Sequence, residues 1–351
     1  MLGSLTLRER GLLALVGAVT AATAVLEYGG GPDVAVFLVA ALALAGVAWV
    51  VSFATESVGE RFGPALTGVL QSTLGNLPEL FVVLFALSAG ELIVAQYSIL
   101  GSLFANALLV LGLAILAGSR AANGTMTFKR RLPNDTATLL LLAVFIIVLL
   151  GVSDRVGDRA SRHQVAISAI GAVVLLAVYC VWVYFYLRTR EATERVEHAR
   201  VPLTLALGLL AVAGVAAALI SDWFVNALGP AIESLGLSRE FTGLVIVGIA
   251  GNAVENVVGI SLAAKGQNDL AISIVKNSVA QIAVFLFPLL VLLSLFFETR
   301  LTFVLPAVYV GALFLMAISV WQATGDGQAV AFEGLALVGL YVILAVLTYY
   351  E

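Results

Sequence analysis

The stretch Gly75-Asn76-Leu77-Pro78-Glu79 recurs as Gly251-Asn252-Ala253-Val254-Glu255, 176 residues further along the chain. The register then holds without a gap, because Gly90 falls on Gly266 and Ser102 on Ser278. A Thr-Gly pair precedes each motif, Thr67-Gly68 and Thr242-Gly243, there offset by 175. Two apolar, Gly-rich helices share one Gly-Asn pair by chance easily. They do not share a five-residue motif, a held register and a matching following segment, so the chain contains an internal repeat.

Around the motifs the composition is that of a chain dissolved in lipid. Of 351 residues, 61% are hydrophobic and 11% are charged, less than half the roughly 25% charged share of a soluble domain. Apolar runs near 11–27, 34–59, 65–88, 91–118, 136–152, 164–187, 201–227, 240–264, 268–297, 302–322 and 329–349 are long enough to cross a hydrocarbon core of about 30 Å. The expected fold is an all-α membrane protein of about eleven transmembrane helices. The first run, with Arg8 and Arg10 before it and Ala22-Thr23-Ala24 within it, also fits a cleavable signal peptide.

With the amino terminus in the cytoplasm, twelve basic residues fall on the inner side and five (Arg155, Arg159, Arg162, Arg239 and Arg300) on the outer side. That split obeys the positive-inside rule, and a multi-pass protein of the prokaryotic plasma (inner) membrane is expected. Only Lys276 of the eighteen basic residues lies inside a span. The net charge of −4 forms no basic patch, so no nucleic-acid partner is indicated. The partners expected are membrane lipid, inorganic cations and protons, with homo-oligomerisation left open. Cys180 sits in an apolar run and excludes a disulfide framework.

The motifs lie in the third and eighth spans, five spans apart, so they enter the membrane from opposite faces. Inverted repeats of this kind mark secondary transporters, whose ion site lies at midplane where the repeats meet. The organisation read from the sequence is a first span over 1–33, a five-helix repeat over 34–187, a charged cytoplasmic linker over 188–200 and an inverted five-helix repeat over 201–351.

A carboxylate in mid-span has an insertion cost of roughly 2.5–3.5 kcal/mol on translocon scales, so it marks a site by default. Glu79 and Glu255 are the expected cation ligands and proton carriers. Asn76 and Asn252 stand three residues before them and share their helix faces. Gln71 and Ser72 extend that face in the third span, while Gly248, Gly251 and Gly259 thin the eighth and permit close approach of a neighbour. Pro78 cannot donate a helical hydrogen bond and crowds the carbonyl of Leu74. Carboxylates, amide oxygens and loosened carbonyls suit a hard cation such as calcium; zinc or copper would want His or Cys. The two histidines, His163 and His198, fall in breaks. When the cation leaves, two protons can neutralise the pair.

These residues resemble the calcium–proton exchanger (CAX) family of the calcium:cation antiporter superfamily. The resemblance runs through Ala54-Thr55-Glu56, Gly75 to Leu80, Gly101-Ser102, Asn106 to Val110, Gly251 to Asn256, and Asp269 to Gln281. It implies a peripheral first span, two inverted five-span repeats, Ca2+ and H+ binding at the motif glutamates, and helper residues on the fourth and ninth spans: Ser102, Asn106, Asn277, Ser278 and Gln281. Glu56 is expected to be a vestibule carboxylate.

The chain departs from the family pattern in three places. The acidic linker of the family is replaced by Glu191, Glu194 and Glu197 alternating with arginines, a solvated charged turn. Pro78 before Glu79 is similar to the Pro-Glu of sodium–calcium exchangers and keeps Na+ open as the counter-ion. The ninth span reads Lys276-Asn277-Ser278 where the family runs Gly-Ser-Ser. Lys276, equivalent to Leu100, has three open readings: a residue snorkelling from a shifted boundary, a built-in cation paired with Glu79 or Glu255, or a group with a structural partner elsewhere.

An intramembrane enzyme would need a span-embedded catalytic pair, whereas Asp33, Asp154, Asp158, Asp222, Asp269 and Asp326 fall at span ends or breaks. A passive channel suits a twofold inverted repeat less well than alternating access does. A pump would need a nucleotide motif, which the sequence lacks. The expected function is Ca2+ (or related cation)/H+ antiport with no cofactor.

Overall fold

The computed structural model describes residues 4–59, 74–129, 131–188 and 200–351. Without water to satisfy N–H and C=O groups, an apolar chain closes those bonds within helices. The helices are α1 (Leu7–Tyr28), α2 (Asp33–Gly59), α3 (Leu77–Ser88), α4 (Leu92–Ala121), α5 (Arg131–Val156) and α6 (Gln164–Leu187) in the first half. The second half has α7 (Leu203–Leu235), α8 (Arg239–Gly251), α9 (Ala253–Ala264), α10 (Asn268–Ser294), α11 (Ala307–Thr324) and α12 (Ala331–Tyr349). Among the described residues nine helices are long and apolar enough to cross a membrane; α8 and α9 supply a tenth, bent by 56°. The twelve residues of α3 are a shorter apolar helix. The all-α membrane architecture expected from the sequence is the one found.

The repeat written in the sequence is also written in the backbone. The chain leaves helical geometry at Asn76 (φ −84°, ψ 9°) and at Asn252 (φ −109°, ψ 18°), and a twelve-residue helix starts immediately after each. Gly90 (φ +79°) and Gly266 (φ +75°) turn the chain at the far ends in the left-handed region, which glycine adopts without steric penalty. The next helices then begin at Leu92 and Asn268. Each loosens into a π-helical turn, over Ala105–Val110 in α4 and Ile282–Leu286 in α10. The 176-residue offset carries 106–110 onto 282–286, so even this irregularity is repeated. A third π turn spans Thr242–Val247 in α8; the equivalent positions of the first repeat lie outside the described residues.

The helix α1 is peripheral: it packs on α2, where Val16 fills the groove over Gly46, and is otherwise largely exposed. Thr6 and Glu9 cap it reciprocally, and Arg200 donates to Glu9, which places the end of the linker beside the start of α1. The helices α2 and α7 pack along their lengths, with the rings of Phe37 and Phe224 stacked at 4.8 Å. The sequence expected α7 to end near residue 227, but it continues to Leu235 through Pro230 and stops at Gly236 (φ +65°). Asp222 therefore lies within a helix rather than at its end, because one carboxylate bonded by the Asn226 amide one turn on does not interrupt a backbone already held by its own hydrogen bonds.

Two short strands were not expected. β1 (Thr125–Thr127) and β2 (Gln328–Val330) pair antiparallel, Met126 opposite Ala329, and join the α4–α5 and α11–α12 connections. Residues 301–304, at the repeat-equivalent of 125–128, are tied to first-half helices, with Phe303 N donating to Ser168 Oγ (3.1 Å) and Gln96 Nε2 to Val304 O (3.2 Å).

Candidate functional site

Glu79 is the third residue of α3 and Glu255 the third of α9. A helix N-terminus carries partial positive charge from unsatisfied N–H groups, and a carboxylate in the first turn is favoured there. The two first turns are built alike: Leu80 N donates to Asn76 O at 2.9 Å, and Asn256 N to Asn252 O at 3.0 Å. Glu79 is buried at 2% exposure. The side chain of Glu255 lies outside the described residues. A carboxylate this deep must be neutralised by a proton, a cation or hydrogen bonds.

Asn252 shows how the halves meet. It is fully buried; its Nδ2 donates to Ser102 Oγ (2.8 Å) and to Gly248 O (2.9 Å), and its Oδ1 accepts from Asn106 Nδ2 (2.7 Å). The second motif is thus bound to two residues of α4 in the first half. The approach is possible because α4 and α8 cross backbone to backbone. A Cβ at Gly101 would stand 2.2 Å from Leu244 O, and one at Gly248 would stand 2.6 Å from the Gly101 carbonyl carbon.

Asn76, Ser102, Asn106, Asn252, Asn277, Ser278 and Gln281 are all buried, although polar side chains at these positions would ordinarily seek water. Asn277 and Gln281 lie one turn apart on α10 and so share a helix face. Gln71 and Ser72 lie outside the described residues. Glu56 lies in the last turn of α2 and is exposed.

Lys276 does not snorkel: it is buried in the third turn of α10, and its Nζ donates to Thr324 Oγ1 at 2.7 Å. Of the three glycines expected to admit a neighbour, Gly248 meets Gly101 and Gly259 meets Val275, but among the described residues Gly251 has nothing within 4 Å of an added Cβ. It immediately precedes the break at Asn252. Ser221 of α7 was not foreseen; it is fully buried and its Oγ lies 3.4 Å from Pro78 O. A serine beside an aspartate inside an apolar run was the signal that could have found it.

The pattern of the sodium/calcium exchanger protein family matches residues 33–188 and 205–350. This chain belongs to that family. Among its relatives, the vacuolar calcium ion transporter of Schizosaccharomyces pombe is 33% identical over 330 residues, covering 90% of this chain and 79% of the yeast protein. The Ca2+/H+ antiporter ChaA of Bacillus subtilis is 32% identical over 335 residues, covering 90% and 92%. The solved structure of native YfkE superposes with a TM-score of 0.81 at 27% identity, covering 97% of this exchanger-family chain and 100% of that one. The H+/Ca2+ exchanger CAX superposes at 0.77 with 15% identity over 97% and 91%, a likeness of fold.

Proposed function

We propose that this chain is a secondary active antiporter that exchanges Ca2+ for protons by alternating access at a midplane site shared between its two inverted repeats. The observation that carries the reading is the twice-made break at Gly-Asn, which sets a carboxylate in the first turn of two equivalent helices. The calcium and proton exchange named for relatives at about 30% identity along nearly the whole chain supports it.

In this reading Glu79 and Glu255 supply the charge, and Asn76, Asn252, Ser102, Asn106, Asn277, Ser278 and Gln281 supply neutral oxygens. One Ca2+ or two protons neutralise the pair equally. A neutral site crosses from one facing to the other at far smaller electrostatic cost than a bare dicarboxylate. Oxygen ligands and the absence of His or Cys from the chosen set suit Ca2+, and no covalent chemistry is required. The amino terminus is assigned to the cytoplasm of a prokaryotic cell, in accord with twelve basic residues against five. The Arg200–Glu9 pair supports this by setting the linker beside the start of α1.

The test is Ca2+ uptake into proteoliposomes under an imposed pH gradient, with and without Na+, for wild type, Glu79→Gln and Glu255→Gln. Wild type should accumulate Ca2+ without Na+, and each glutamine variant should lose at least about a hundredfold in rate, as expected when a desolvated charged contact is removed. Normal transport by both variants would refute the site. Uptake driven only by a Na+ gradient would refute proton coupling.

A further inference from the structure

We propose that Lys276 is a positioning residue that, through its bond to Thr324, helps to set the rotation of α10 as a glycine crossing does for α4. The inference rests on the reading of Asn277, Ser278 and Gln281 as part of the cation site.

In the first repeat α4 is held by contact that only glycine permits. Gly101 faces Leu244 and Gly248 with no room for a Cβ, and turning α4 by one residue would drive Leu100 or Ser102 into that backbone. With the rotation fixed, Ser102 and Asn106 point at Asn252. The 176-residue offset carries Gly101 onto Asn277. An asparagine Cβ excludes an approach as close as the one glycine allows, so α10 needs another device to aim its polar residues.

The same offset carries Leu100, an apolar and fully buried residue, onto Lys276, which is buried at 4% exposure. The ammonium donates to Thr324 Oγ1 at 2.7 Å, and that hydroxyl donates onward to Val320 O at 2.6 Å. Its hydrogen is therefore committed to α11 and its lone pair is turned to the lysine. Thr324 ends α11, just before β2. β2 pairs with β1, and the end of β1 is bound back to the first turn of α10. There Asn268 Nδ2 donates to Thr127 O (3.3 Å) and Asp269 Oδ1 accepts from Lys129 N (2.7 Å).

Asp269 and Lys276 are seven residues apart and so lie on one face of α10 two turns apart. Two ties on one face define a rotation, and Asn277 and Gln281 occupy an adjacent face. An apolar side chain at 276 could fill the space but could not bond to α11.

The test is proton-driven Ca2+ uptake by the full chain in proteoliposomes, comparing wild type with Lys276→Met, Thr324→Val, their double variant and Thr324→Ser. Methionine keeps the stem without the ammonium, valine keeps the shape without the hydroxyl, and serine keeps the hydroxyl. Each of the first two should raise the half-saturating Ca2+ concentration about three- to tenfold, the range of one net hydrogen bond, with maximal rate within about twofold. The double variant should match either single one, and Thr324→Ser should match wild type. Multiplying effects in the double variant, or a lowered unfolding temperature with unchanged half-saturation, would overturn the proposal. If Lys276→Met does not fold, Thr324→Val against Thr324→Ser decides alone. Wild type that moves no Ca2+ refutes the antiporter reading and this inference with it; active wild type with unshifted variants refutes this inference only.

Discussion

At the scale of the residue, Asn252 ties the second motif to the first half of the chain. It is completely buried and joins Gly248, Ser102 and Asn106 through three hydrogen bonds. Replacing it by alanine removes those bonds and leaves the Ser102 and Asn106 groups buried without these partners, at about 1–3 kcal/mol for each group left unsatisfied. Asn252→Ala should therefore lower the unfolding temperature in detergent and weaken Ca2+ transport together. Asn106→Ala, which removes a single one of these bonds, should show a smaller drop in thermal denaturation. Equal effects from the two would mean that Asn252 is not the hub.

At the scale of the element, the instructive feature is what breaks the motif helices. Proline at residue 78 suggests itself as the breaker, yet the second copy has Val254 there and breaks at the same asparagine. Pro78 sits in the first turn of α3, where no helical N–H partner is required. Pro78→Ala should leave transport at half of wild type or better, to within about a twofold loss in flux assays. The glycine crossing is a different matter. Gly101→Ala would set a Cβ 2.2 Å from the Leu244 carbonyl oxygen, backbone that cannot swing aside, and should cost about 1–3 kcal/mol or more. Gly251→Ala meets open space among the described residues and should be the milder change. Size-exclusion profiles and thermal unfolding of the two purified variants make the comparison.

At the scale of the whole molecule, the antiporter reading predicts how pH and voltage act. Protons and Ca2+ compete for the same carboxylates, so acidifying the side from which Ca2+ binds must raise its half-saturating concentration. The slope approaches about a hundredfold per pH unit if two protons leave as one Ca2+ arrives. With a charge exchange of two for two, an imposed K+ diffusion potential should leave the initial rate of Ca2+ uptake unchanged. A rate that tracks the potential would mean a different stoichiometry.

The sequence by itself determined the membrane class, the run of spans, the inverted repeat and the paired Gly-Asn-x-x-Glu motif, because hydropathy, helical periodicity and repetition are properties of neighbours along the chain. It also held the family resemblance that the matches along both halves bear out. What only the tertiary structure decided depends on contacts between residues far apart in the chain. Asn252 bonds across 150 positions to Ser102, Ser221 reaches Pro78, and Lys276 turns to Thr324. Gly101 and Gly248 prove to be a crossing. A glycine or a buried lysine reads the same in a sequence whatever stands opposite it, and here the opposing helix assigns its role.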